Sequence, residues 1–120
     1  MTRQNIFGTA LRQVREDREL TIRSFSEIIK FSPAYIVDLE KGNRKPSSNV
    51  IEAITQNIFL TEEEHEKLLV GYYTSHPRMQ ADIIYYIEKN GLLESLQTLK
   101  EQDKDGTKFK QFIKTLQTNK

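Results

Sequence analysis

The stretch Thr21 to Pro46, TIRSFSEIIKFSPAYIVDLEKGNRKP, limits the possible folds more than any other part of the chain. Its apolar residues recur at helical spacing, and its breaks fall close together. Thr21 is an N-cap residue type, and Phe25, Ile28 and Ile29 give one apolar face to a helix over Ile22 to Ile29. Lys30-Phe31 leaves only a short link before the next start signal. There Ser32 is the cap, and Pro33 takes the first helical position, where its missing N–H costs no hydrogen bond. Ile36 and Leu39 face inward, at i and i+3. Gly42 stands where a left-handed residue closes a helix, and Asn43-Arg44-Lys45-Pro46 is a basic loop that cannot continue it. Two short helices linked this tightly must cross sharply, a packing unit that other helices have to cover.

The flanking segments supply that cover. A first helix over about Asn5 to Arg18 carries Phe7, Ala10, Leu11 and Val14 as one stripe, with Asn5 as its cap. A fourth, over about Asn49 to Asn57, is capped by Ser47 or Ser48 and turns Val50, Ile51 and Ile54 inward. After the apolar connector Ile58-Phe59-Leu60, Thr61 and Glu64 form a capping box. The box opens a fifth helix to about Tyr73, with Leu68, Leu69 and Tyr72 as its stripe. Glu62, Glu63 and Glu64 suit the positive end of that helix dipole. A boundary falls at Ser75-His76-Pro77. Beyond it, three helices are predicted over Arg78 to Lys89, Leu92 to Gln102 and Thr107 to Thr118, with the polar turn Asp103-Lys104-Asp105-Gly106 before the last. No segment alternates at period two, so the expected class is all-α. The domain organisation expected is a domain over residues 1–74 and a helical extension over 75–120.

Composition removes several classes of function. The chain has no Cys, which excludes disulfides, thiolate catalysis and cysteine-ligated zinc. His65 and His76 are not at metal-ligand spacing, and no metal or cofactor is expected. There is no glycine-rich phosphate loop and no nucleophile–base signature, so an enzyme is not expected. No apolar run approaches the roughly 18 residues of a membrane span, and MTRQNIFGTA lacks a signal peptide's apolar region. The expected compartment is the cytoplasm. Net charge is only +1, so any nucleic-acid affinity must come from a local basic patch.

Leu11, Arg12, Arg15, Leu20-Thr21, Phe25-Ser26, Ile29, Ser32, Tyr35-Ile36, Leu39-Glu40, Gly42, Arg44, Pro46, Ile51 and Ile54 fall in a familiar order. Over about Phe7 to Tyr72 the chain resembles the DNA-binding domain of the Cro and phage-repressor family, also called the xenobiotic-response-element family. The resemblance implies a five-helix bundle with the helix-turn-helix at its second and third helices, followed here by about three short helices. It implies that the third helix enters the major groove by its N-terminal end, so that Ser32, Pro33, Ala34, Tyr35 and Asp38 face the bases. Thr21, Arg23, Asn43, Arg44 and Lys45 become the phosphate contacts. Arg15 and Glu40 match a pair that forms a structural salt bridge in this family. Three positions depart from its pattern. Ile22 replaces a frequent Gln, Lys30 stands where Gly is common in the turn, and Ser26 stands where Ala is usual, a small change. Lys30 must take up a left-handed conformation or alter the turn. Pro33 and Ala34 offer no side-chain hydrogen bond to a base, so readout leans on apolar contact, Asp38 and DNA shape.

The resulting expectation is a dimeric transcriptional repressor on an inverted-repeat operator in double-stranded DNA. Tyr85, Tyr86, Leu93, Leu96, Phe109, Phe112 and Ile113 are the expected dimer or partner surface. Completion of the monomer's own core and docking of a protein or peptide effector are the other uses of these helices. A different class of function also fits the scaffold: a protein-interaction module, antitoxin-like or binding a host defence protein, with little DNA binding of its own.

Overall fold

The computed structural model describes residues 5–118, and Met79 by its backbone alone. Among the described residues there are eight helices and no strand: α1 Ile6–Asp17, α2 Ile22–Ile29, α3 Pro33–Lys41, α4 Ser48–Asn57, α5 Glu62–Thr74, α6 Pro77–Lys89, α7 Leu93–Gln102 and α8 Thr107–Thr118. The protein is therefore all-α. The first five helices start where the sequence places cap residues. Asn5, Thr21, Ser32, Ser47 and Thr61 each accept a backbone N–H of the first turn through the side chain. At Thr61 the box closes in both directions, since the Glu64 carboxylate also accepts the Thr61 N–H at 2.9 Å.

The chain divides into two compact units, Met1–Gln80 and Ala81–Lys120, and the division falls within α6. In the first unit α1 lies against α3 and α5, while α2 lies against α3 and α4. The buried core comprises Phe7, Ala10, Leu11, Val14, Phe25, Ile29, Ile36, Leu39, Val50, Ile54, Ile58 and Leu68. Burying these side chains is the main favourable term for a domain of this size. Ile28, expected on the inner face of α2, is instead 36% exposed. The third buried position of α2 is Ser26. Two apolar residues one step apart cannot both lie in the middle of a narrow helical stripe, and Ile29 takes that place.

The second unit is different. Its described apolar side chains are exposed or half-buried, among them Ile83, Ile84, Tyr85, Tyr86, Leu93, Phe109, Phe112 and Leu116. Leu96 and Ile113 are half-buried. The one buried residue among those described there is Asp103, whose carboxylate accepts the backbone N–H groups of Lys108 and Phe109 at 3.1 and 2.9 Å. The turn before α8 thus holds that helix's cap. Among the described residues no helix is long and apolar enough to cross a membrane.

Candidate nucleic-acid interface

The connection between α2 and α3 is short, Lys30 to Ser32, and two residues fix its shape. Lys30 takes the left-handed conformation, with φ 62° and ψ 40°. A residue with a Cβ costs energy there, and the turn holds it because the helices on both sides are anchored in the core. Ser26 is the second. Its buried hydroxyl donates to the Phe31 carbonyl at 2.6 Å. The change from Ala to Ser is therefore not a small one: it ties the end of the turn back to α2. The left-handed conformation is one of the two alternatives that Lys30 left open in the sequence, whereas the Ser26 bond could not be read from residue types alone.

From this turn α3 projects its first residues outward. Ser32, Pro33 and Ala34 are exposed, and Tyr35 and Asp38 are half-buried. Ser32 Oγ accepts the Tyr35 N–H at 3.2 Å, which leaves the hydroxyl hydrogen available to another acceptor. The far end of α3 closes on Gly42, at φ 78°, with the Asn43 N–H bonded to the Asp38 carbonyl. That closure swings the chain into the loop Asn43-Arg44-Lys45, all exposed, before Pro46 turns inward and is buried. His76 Nε2 lies 2.8 Å from the Pro46 carbonyl, so the loop's last residue is tied to the link between α5 and α6. His76 also packs on Tyr72, its ring centroid 4.6 Å away.

The loop and the start of α3 meet at Tyr35. The Arg44 guanidinium carbon lies 5.2 Å from the centre of the Tyr35 ring, in cation–π range. On the helix side, the Phe31 and Tyr35 rings stack with centroids 5.2 Å apart and planes at 25°. Phe31 has no place among the expected site residues: it lies in the turn before the Ser32 cap, outside either helix, so no helical spacing pointed to its contact with Tyr35. Arg44 has no ion-pair partner among the described residues. Arg23, in contrast, lies 3.7 Å from Glu27 along the exposed side of α2. At the start of α2, the Thr21 hydroxyl accepts the Ser24 N–H and donates to Ser24 Oγ, so it serves the cap.

Behind the interface lie two ion pairs. Arg15 is bidentate to Glu40, Nε to Oε2 at 2.8 Å and Nη2 to Oε1 at 3.0 Å, and its Nη1 donates to the Leu20 carbonyl. The hydrogen bond to Glu40 raises the Arg15 pKa, against the lowering effect of burial. The pair clamps α1 to the C-terminal half of α3. Arg18 makes a parallel clamp to Glu64, at 2.8 and 2.9 Å, and its guanidinium also reaches the carbonyls of Val14 and Phe59. The Arg18 guanidinium holds the Glu64 carboxyl well below its usual range, at about 2. Glu64 is thus both the closing residue of a capping box and an interhelix anchor, a role the sequence did not suggest.

The residues expected as a dimer or partner surface lie in the second unit. Tyr85, Tyr86, Leu93, Phe109 and Phe112 are exposed, and the Lys89 ammonium sits 5.8 Å from the Tyr85 ring centre.

Comparison with known proteins adds one finding. The model of a family described as a helix-turn-helix domain matches residues 6–68, a span that contains every element from α1 to the middle of α5. No curated protein and no solved structure matches the chain.

Proposed function

The chain belongs to the helix-turn-helix domain family, and on that footing we propose that it is a sequence-specific transcriptional regulator of the Cro and phage-repressor type. On this reading residues 1–74 are the DNA-binding domain. Helix α3 enters the major groove of double-stranded DNA by its N-terminal end, with Ser32, Pro33, Ala34, Tyr35 and Asp38 at the bases. Thr21, Arg23, Asn43, Arg44 and Lys45 contact phosphates. The observation that carries the reading is the contact of Arg44 with Tyr35. It sets an exposed basic loop directly beside the exposed start of a capped helix, joining a backbone-binding element to a base-reading one.

Residues 75–120 serve as the dimerisation region. In favour of this, the described apolar side chains of the second unit are left open, and Tyr85, Tyr86, Phe109 and Phe112 provide the aromatic content that interfaces favour. A dimer links two half-sites, which is why the operator is an inverted repeat and why occupancy of a promoter represses it. The compartment that suits this role is the cytoplasm. The test is selection of bound DNA from a random pool at two salt concentrations. Recovery of an inverted repeat, with affinity falling steeply as salt rises, is the expected outcome. Absence of salt-sensitive binding rejects the reading. Sedimentation at high micromolar concentration tests the dimer: a species of 14.1 kDa, one chain, counts against it.

A second reading has its own support. Pro33 and Ala34 bring no side-chain hydrogen-bonding group to the groove. A chain with so bare a recognition helix and so open an apolar unit also suits a protein-interaction module, antitoxin-like or directed at a host defence protein. That module captures a protein partner or effector through the second unit and fails the DNA selection.

A further inference from the structure

We propose that Phe31 is a positioning residue of the DNA interface, setting the Arg44 guanidinium against a backbone phosphate through the ring of Tyr35. The inference rests on the regulator reading and deepens it. Four residues form a continuous chain of contacts. The buried Ser26 hydroxyl fixes the Phe31 carbonyl at 2.6 Å. The Phe31 ring stacks on Tyr35 at 5.2 Å, and Arg44 lies over Tyr35 at 5.2 Å. Tyr35 therefore carries Phe31 and Arg44 in contact with one ring. Arginine is a long side chain with many rotamers, and ordering it on DNA costs conformational entropy. A cation held over an aromatic ring has already lost part of that freedom, and its N–H edge stays open to an anion. The turn thereby sets the direction of a loop charge that lies thirteen residues further along the chain.

The experiment uses the full chain, DNA recovered from the random-pool selection, and the variants Phe31→Leu, Phe31→Tyr, Arg44→Ala and the double variant Phe31→Leu/Arg44→Ala. Leucine keeps apolar volume at the turn and removes the ring. Phe31→Leu is expected to weaken binding about threefold, the size of one exposed cation–π contact. It also shifts the salt slope toward that of Arg44→Ala, because one phosphate contact is loosened. Phe31→Tyr retains wild-type affinity. In the Arg44→Ala background the Leu substitution adds nothing. A second readout needs no DNA: ring-current shifts of the Arg44 side-chain protons, present in the wild type and lost in Phe31→Leu. Full additivity of the two substitutions, or a loss in Phe31→Tyr equal to that in Phe31→Leu, overturns the proposal while wild-type binding upholds the regulator reading. A wild type without salt-sensitive binding rejects the regulator reading and the phosphate role together, and the ring-current shifts then report the contact alone.

Discussion

Gly71 in α5 lies directly against the backbone of Phe7 in α1: a Cβ at Gly71 would stand 2.6 Å from both the Phe7 nitrogen and its Cα. Two helices approach this closely only where one has no side chain, and at the other end of the same helix pair Arg18 meets Glu64. Gly71→Ala forces the helices apart. The expected loss is about 1–3 kcal/mol of stability, the usual cost of overpacking, read as a lower midpoint in urea. An unchanged midpoint would mean that α5 can shift freely on α1.

Arg15 and Glu40 have side chains only 13% and 8% exposed. Removing one leaves the other's charge poorly solvated. Arg15→Ala or Glu40→Ala alone is expected to cost about 3 kcal/mol, and the double variant Arg15→Met/Glu40→Leu considerably less. Thermal or urea unfolding of all three separates a paired charge from mere packing. Equal losses in single and double variants would contradict the pairing argument.

The Glu64 carboxyl is lowered from an ordinary value of 4.5 to about 2, chiefly by its hydrogen bonds from Arg18. A carboxyl depressed on folding contributes stability that is present above the unfolded value and lost as pH falls through the folded one. Acid should therefore weaken the protein between pH 4.5 and pH 2. Because the pair is partly open to solvent, the contribution is on the order of 1–2 kcal/mol. Glu64→Gln should flatten the stability–pH curve in that window, as measured by urea unfolding at a series of pH values.

Asp103 satisfies two N–H groups at the start of α8. Asp103→Ala is expected to cost about 1 kcal/mol, the worth of an N-cap, and to fray the first turn of α8. Amide exchange at Lys108 and Phe109 should accelerate, and Asp103→Asn should retain most of the protection.

In DNA binding, Arg44→Ala should weaken all sequences alike and reduce the salt slope by about one. Changes at Ala34 or Asp38 should instead alter preference among sequences, by about 1–3 kcal/mol at the affected base pair. Competition with single-base operator variants distinguishes the two behaviours.

The sequence by itself determined the local structure. Caps at Asn5, Thr21, Ser32 and Thr61, the stripe Phe7-Ala10-Leu11-Val14 and the stop at Gly42 depend on contacts within one or two turns. For that reason the helix boundaries, the all-α class and the helix-turn-helix were legible. The resemblance carried by the residues from Leu11 to Pro46 implied Arg15 and Glu40 as a pair, and they are bonded. Tertiary structure decided the rest, because it depends on which faces meet. Ile28 and Ile29 are both apolar, and only packing put Ile29 inside. Ser26 looks like a minor change until its hydroxyl is seen on the Phe31 carbonyl. Glu64 reads as a cap, and only the packing of α5 on α1 makes it the partner of Arg18 as well. The meeting of Phe31, Tyr35 and Arg44 is decided in the same way. Residues thirteen apart are brought to one ring by the turn at Lys30 and the closure at Gly42, a geometry no local pattern encodes.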